Sequence, residues 1–349
     1  AWTVRLASER LAGTVVVPER DDLPVEADLA RLWMVEDDPA VAGRDGKADP
    51  RGLPPARVRV ADFVLADMRF GRLDAQVSQR GDGVVVEPLE LRSQTFRIAG
   101  SALWVVEEGD PDRQRTELKL GLRSTDIRPT LTALGYDEVL EGKAAAADAE
   151  LVWAGGPRGD FLEVAAGRLT LGLERGQFLA VDPGTGRILG LLSVAALPRR
   201  LGLDFRDVTD KGLAFDAVKG EFRFDGGNAF TCNLGLSGPV ADLAMVGRVG
   251  FRDRDYEQLA VVRPHVSDVV AIGSAVVGGP VIGGAALLVA QLFRKPLSSL
   301  GESYYRVTGP WDAPAVAKVQ RSEVDTTPFR DCERYLAEAL SQLPPEAVP

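Results

Sequence analysis

The sequence predicts a mostly β fold, with many short strands and few helices. Three observations predict it. From the start of the chain to about residue 250, apolar and polar residues alternate with period 2, which places one face of each strand in a core and the other in solvent. The 37 Gly and 22 Pro are spread along the chain and not gathered in one linker, as turns between short strands require. Helical periodicity is confined to a few short stretches, too few to cover the strands.

The alternating segments follow in order. Val58, Val60 and Phe63 lead into Leu65, and Phe70 opens a run through Leu73 and Ala75. Leu89 and Leu91 alternate with Glu90 and Arg92, and Phe96 and Ile98 flank Arg97. Leu118, Leu120 and Leu122 come next, then Leu169, Leu171 and Leu173, then Leu201, Leu203 and Phe205. Phe222 with Phe224, Leu234 with Leu236, and Leu243 with Met245 close the series. That makes roughly fifteen segments, punctuated by turns such as Gly81-Asp82-Gly83 and Asp225-Gly226-Gly227-Asn228. Two short helices interrupt them. Asp126 caps one near 126–134, in which Ile127, Leu131 and Leu134 share a face and Gly135 ends it. The second, at 186–197, carries Ile188, Leu191, Leu192 and Ala195 at helical spacing and stops at Pro198. The stretch from Val41 to Pro55 reads as an exposed loop.

Such a sheet must cover its apolar face. Either it closes on itself as a barrel or sandwich, or it curls into a trough filled by a ligand. At about 4.8 Å per strand, fifteen strands stack to roughly 70 Å, long for a single barrel.

The pattern changes after His265, a junction residue behind Pro264. From Val269 to Phe293 there is no charged residue. A single spanning helix would carry five Gly and Pro280 in its interior, at about 1 kcal/mol per Gly and about 3 for Pro. Split at Gly278-Gly279-Pro280, the stretch becomes a helical hairpin. Its second arm is about 20 Å long against a hydrocarbon core of about 30 Å. The hairpin, 264–296, is expected to cap the sheet or dip into a membrane face. Val269, Val270, Ile272, Val276, Val277, Val281, Ile282, Leu287, Leu288, Leu292 and Phe293 are its candidate membrane contacts. A last strand around Tyr305–Trp311 and a linker occupy 297–327. Pro328 then starts an amphipathic helix to 343, with Phe329, Cys332, Leu336, Leu340 and Leu343 as its stripe.

Composition excludes several functions. The chain has 349 residues, 51 Asp+Glu against 41 Lys+Arg, and a net charge of −10. A nucleic-acid binder needs a basic surplus to replace phosphate counterions, and here the balance is reversed. One His rules out His-rich metal sites and leaves His265 as the sole candidate base for a Ser-His-Asp site. Cys232 and Cys332 are too far apart for a zinc knuckle, and their spacing does not decide whether they pair. Asp182-Pro183-Gly184-Thr185-Gly186-Arg187 lacks the Lys-Ser/Thr end of a phosphate loop. Asp253 and Asp255, interleaved with Arg252 and Arg254, read as a solvated strand end and not as an acid/base pair. Trp33, Trp104, Trp153 and Trp311 read as sheet or rim anchors. No catalytic constellation emerges and no cofactor is expected.

Several blocks carry a resemblance. They are Asp49-Pro50-Arg51-Gly52-Leu53-Pro54, Phe70-Gly71-Arg72-Leu73, the run Gly190 to Asp207, Lys211 to Asp216, Arg252 to Tyr256, Gly278-Gly279-Pro280, and Tyr305 to Trp311. In this order they resemble the C-terminal part of YhdP-type proteins of the AsmA-like family, relatives of TamB in Gram-negative envelopes. The resemblance implies a long curved antiparallel-type sheet, residues 1–263, forming an elongated hydrophobic groove. It implies the periplasmic segment of a conduit that moves phospholipid between inner and outer membranes, within a protein anchored in the inner membrane by a helix absent from this chain. The transported ligand would be phospholipid. The inner leaflet of the outer membrane and other envelope proteins would be partners. The groove would be lined by the alternating residues Leu65, Leu89, Leu91, Phe96, Ile98, Leu118, Leu120, Leu169, Leu171, Leu203, Phe205, Phe222, Phe224, Leu234 and Leu236. Charges at Leu171 or Phe224 should then block transfer without unfolding the body. The competing expectation is a structural or assembly protein of the envelope with a closed β core.

Overall fold

The computed structural model describes residues 1–20, 22–34, 48–157, 160–179, 213–265, 302–320 and 332. Among them are sixteen strands. The first eight are β1 (Trp2–Ala7), β2 (Leu11–Val17), β3 (Val25–Met34), β4 (Ala56–Leu65), β5 (Met68–Arg80), β6 (Gly83–Arg92), β7 (Phe96–Val106) and β8 (Gln114–Ser124). The others are β9 (Leu140–Ala154), β10 (Ala166–Phe178), β11 (Leu213–Asp225), β12 (Asn228–Ser237), β13 (Ala241–Gly250), β14 (Asp255–Pro264), β15 (Ser303–Pro310) and β16 (Ala315–Val319). Their order in the sheet is their order in the chain. The mostly β expectation is met. The predicted helix at 186–197, the 269–293 hairpin, Leu203, Phe205 and all of the 328–343 helix except Cys332 lie outside the described residues.

The antiparallel expectation needs one correction: β3 and β4 run parallel, with Leu29 opposite Val60 and Met34 opposite Leu65. Alternation of side chains is the same in both orientations, so period 2 could not reveal it. What permits it is the connection of 21 residues between Met34 and Ala56, long enough for the crossover that a parallel pair requires.

The chain divides into two compact units, Ala1–Tyr136 with Asp148–Gly167, and Asp137–Ala147 with Arg168–Pro349. The first contains β1 to β8. Its core gathers Leu29, Val60, Phe63, Phe70, Leu73, Leu91, Phe96 and Ile98 from the five strands β3 to β7. The helix α1 (Ile127–Ala133) follows β8 as predicted, with Ile127 and Leu131 buried. Asp126 stands at its N-cap without a side-chain cap bond, and Ser124 Oγ donates to the Asp126 carbonyl instead. Gly135, at φ +74°, turns the chain out of the helix, so that Tyr136 N donates to the Leu131 carbonyl. Pro88, which has no N–H for the ladder, falls where the β6 register shifts between Val86 and Leu89.

In the second unit, β11 to β16 are antiparallel neighbours. Cys232 in β12 and Cys332 form a disulfide. Their spacing alone had left that pairing undecided.

Candidate functional site

The registers of the first unit line up apolar side chains across strands, on one face of the sheet. One row runs Leu6, Gly13, Leu29, Val60, Leu73, Leu91, Ile98, Leu122, each directly opposite the next. A second, two residues along each strand, runs Val4, Val15, Ala27, Val58, Ala75, Leu89, Gly100, Leu120. A third crosses from Ala56 through Val77, Val86 and Ala102 to Leu118. None of these positions holds a charged residue. The bulge in β6 keeps the rows in phase: Glu87 and Pro88 stand opposite the single Gln76 of β5, and that one extra residue lets Val86 share a face with Leu89 across an odd spacing.

The two ends of this face are covered. At one end α1 lies on the core: Ala133 and Leu134 pack against it, Thr130 Oγ1 donates to Thr95 Oγ1 over 3.1 Å, and Phe63 stacks on Phe70 at 5.8 Å. At the other, the segment around the short 3-10 helix Pro50–Gly52 is tied down by side-chain amides. Gln114 Nε2 donates to the Ala48 carbonyl at 3.0 Å and Gln79 Nε2 to the Arg51 carbonyl at 2.9 Å, while Pro50 is buried. Trp104 Nε1 donates to Gln114 Oε1 at 2.9 Å, so the buried glutamine is held from both sides. Between the two ends, the second and third rows from β4 to β8 are only half-buried. Toward β1 the face becomes open, with Trp2 74% and Val4 46% exposed.

The opposite face is a lattice of ion pairs. Arg57 meets Glu26 at 3.1 Å, Arg59 meets Asp28 at 3.4 Å, and Glu90 meets Arg97 at 2.8 Å. The Glu90 carboxyl is held below its usual range, first by a hydrogen bond from Arg92. Alternation has therefore separated a dry face from a charged one.

The second unit is built differently. Phe222, Thr231, Gly247, Gln258 and Val307 form one row, and Leu234, Met245, Ala260 and Tyr305 another. Phe222, Leu234, Met245, Ala260, Tyr305 and Val307 are no more than 1% exposed. Their neighbours on the reverse face, Ala244 and Val261, are at 0%, so β13 and β14 are closed on both sides over this stretch. Burial drives the Tyr256 hydroxyl up to about 12. Further along β13 and β14, Arg248 holds Asp255 through two hydrogen bonds of 2.8 and 2.7 Å, which lowers the Asp255 carboxyl. Asp255 is thus at a strand end, as expected, and its ion-pair partner is Arg248 on the neighbouring strand.

The predicted site residues divide accordingly. Leu65, Leu89, Leu91, Phe96, Ile98, Leu118 and Leu120 lie on the single apolar face of the first unit. Leu169 and Leu171 are half-buried on β10. Phe222, Phe224, Leu234 and Leu236 are enclosed in the second unit at 0 to 3% exposure. Sequence reasoning missed Val77, Val86 and Ala102, because the β6 bulge breaks the alternation that would have linked them. His265 follows β14, its Nε2 3.2 Å from Asp242 and its N–H bonded to the Val240 carbonyl; the predicted hairpin it would join lies outside the described residues. Of the tryptophans, Trp33 bonds Asp62 on the charged face, and Trp311 packs edge-on against Phe251 at 5.5 Å. Trp153 is buried and donates to the Gly156 carbonyl. Among the described residues no helix is long and apolar enough to cross a membrane, and no group of three or more His, Cys, Asp or Glu is placed to hold a metal.

Comparison with known proteins decides the family. The sequence profile of the YhdP protein family matches residues 1–316. The chain belongs to the YhdP protein family. The "Intermembrane phospholipid transporter YhdP" of Escherichia coli (strain K12) is 27% identical over 315 residues, which is 86% of this chain and 24% of that protein. The chain thus spans about a quarter of the length of its YhdP relative. No solved structure matches it. Cys332 lies beyond the part matched by the YhdP profile.

Proposed function

We propose that this chain is the periplasmic segment of a conduit that carries phospholipid between inner and outer membranes, and that the apolar face of β1 to β8 is the floor of its groove. The observation that carries the reading is the uninterrupted set of apolar rows across eight strands, charge-free on one face and ion-paired on the other. A lipid acyl chain loses about 0.8 kcal/mol for each CH₂ returned to water, so a sixteen-carbon chain leaving a bilayer needs about 12 kcal/mol of replacement contact. Only a continuous apolar track supplies it. The name of the E. coli relative supports phospholipid as the cargo. The headgroup stays in solvent at the open side of the rows, with the outer-membrane inner leaflet as destination and other envelope proteins as partners. The chain's part in an inner-membrane-anchored assembly rests on the family alone, and the chemistry needs no cofactor.

The closed-core reading is favoured for β13 and β14 by burial on both faces, and there the strands act as a framework. The test is vesicle-to-vesicle transfer of a fluorescent phosphatidylethanolamine by the purified chain. Wild type transfers lipid, and the Leu89→Asp/Leu120→Asp double variant loses at least nine-tenths of the rate with its circular dichroism unchanged. Transfer that survives both charges removes the first unit's face from the pathway.

A further inference from the structure

The segment that covers one end of the apolar face carries two charged residues, and the groove floor uses neither. They are Asp49 and Arg51, in the block Asp49-Pro50-Arg51-Gly52-Leu53-Pro54. Asp49 caps the 3-10 helix Pro50–Gly52 by accepting from Arg51 N at 2.9 Å. Arg51 Nε donates to Asp49 Oδ1 at 3.0 Å, and Nη2 to Oδ2 at 2.7 Å. That leaves Arg51 Nη1 without a partner among the described residues. Both side chains reach solvent, Arg51 at 36% and Asp49 at 38% exposure. The side-chain bond from Arg51 holds the Asp49 carboxyl below its usual range, so both groups are charged at neutral pH.

Position ties this pair to the lipid track. Val77 belongs to the third apolar row, and Gln79 is the next residue on that face of β5. Gln79 Nε2 donates to the Arg51 carbonyl, which holds the segment about one same-face step, ~6.8 Å, beyond the row. Trp104 lies on the same level, since Gln79 faces Val84 and Val84 faces Trp104. Its half-buried ring, apolar in body and polar at the tip, suits a boundary between lipid and water. In a glycerophospholipid five bonds separate an acyl carbonyl carbon from the phosphorus, about 6 Å at roughly 1.25 Å per bond. A chain seated on the rows therefore brings its phosphate to the pair.

Charge selects the headgroup. The pair sums to zero, and a zwitterionic headgroup keeps it so, with the phosphodiester on Arg51 Nη1 and the ammonium on Asp49. An anionic headgroup leaves an uncompensated negative charge beside Asp49, in a protein whose net charge is already −10.

We infer that Asp49 and Arg51 form a headgroup seat at the rim of the apolar rows, which binds zwitterionic phospholipid through one phosphate and one ammonium contact. This seat presupposes the lipid-groove reading above and adds to it the residues that tell one headgroup from another.

The test is native mass spectrometry of the full chain after incubation with vesicles of equimolar phosphatidylethanolamine and phosphatidylglycerol with matched acyl chains. Wild type is expected to hold phosphatidylethanolamine about fivefold over phosphatidylglycerol, the discrimination of one charge contact in water. Asp49→Asn keeps the helix cap, removes the repulsion, and should bring the ratio to one or below. Arg51→Gln deletes the phosphate contact and should lower phosphatidylethanolamine occupancy about fivefold with circular dichroism unchanged. If Arg51→Gln fails to fold, Asp49→Asn alone decides. A wild-type ratio of one, or a ratio that Asp49→Asn does not move, overturns the inference and leaves the lipid-groove reading intact. Absence of every lipid overturns both. In a further arm glycerophosphoethanolamine, the same headgroup without acyl chains, should not displace bound lipid. Displacement at equal concentration contradicts a seat that works at the rim of an acyl track.

Discussion

The same period-2 pattern yields two different surfaces in this chain. In β4 to β8 it leaves one apolar face half-open and one face ion-paired. In β12 to β14 a stretch of both faces is closed, down to 0% exposure at Ala244, Val249, Ala260 and Val261. The local sequences explain the contrast. Strand β4 begins with Arg57 and Arg59 alternating with Val58 and Val60, so its other face starts charged. Strand β13 runs Leu243-Ala244-Met245-Val246 without a polar break, the composition of a strand covered on both sides. Period 2 reports which residues share a face. The content of the intervening positions reports whether the other face is wet.

The contrast breaks most visibly under a buried charge. Phe224→Asp puts an unpaired carboxylate at a site 3% exposed, and is expected to destabilise the second unit by about 4 kcal/mol or more. Leu120→Asp, on the half-open face, should cost about 1 kcal/mol and abolish lipid binding instead. Chemical denaturation of each variant separates the two outcomes. This revises the sequence-based expectation that a charge at Phe224 blocks transfer in a folded body: the side chain is part of the framework.

The disulfide gives the next largest effect. Cys232 and Cys332 close a loop of 100 residues, for which chain entropy predicts about 4.7 kcal/mol of stabilisation. Reduction, or Cys332→Ser, should therefore raise hydrogen exchange in β12 to β15 and leave β4 to β8 unchanged. Equal loss of protection in both units would mean that they unfold as one.

Alkaline pH sharpens the comparison by a smaller margin. The Tyr256 hydroxyl titrates near 10 in an unfolded chain and at about 12 when folded. The folded protein then holds a proton that the unfolded chain releases. Stability is complete below pH 10 and falls as pH rises toward 12, by up to about 2 to 3 kcal/mol. Thermal melts between pH 9 and 12 should show the second unit losing stability first, and Tyr256→Phe should remove most of that loss.

Much of this was legible beforehand, for physical reasons that differ by feature. Alternation at Leu89, Leu91, Phe96, Ile98, Leu118 and Leu120 located strands and a common face, because one face of each is wet. It did not reveal that Val86 joins Leu89 on that face, since the bulge at Glu87-Pro88 shifts the phase. The closing of the two ends was equally hidden. It depends on Gln114 and Gln79 reaching carbonyls of the 48–53 segment, and an amide's partner has no local sequence signal. The enclosure of Phe222 and Leu234 was not visible either. Their own strands alternate, and the warning lay in the unbroken apolar run of their neighbour β13.

The central claim is that lipid lies on the half-open face of β4 to β8 and nowhere on the closed or charged ones. The most direct measurement places a photoactivatable side chain singly at Leu120, Asp74 and Leu236 in the full chain, exposes each to radiolabelled phosphatidylethanolamine vesicles, and counts label on the protein after illumination. The account predicts strong labelling at Leu120 and background at Asp74 and Leu236. Labelling at Asp74 or Leu236 equal to that at Leu120 would contradict it.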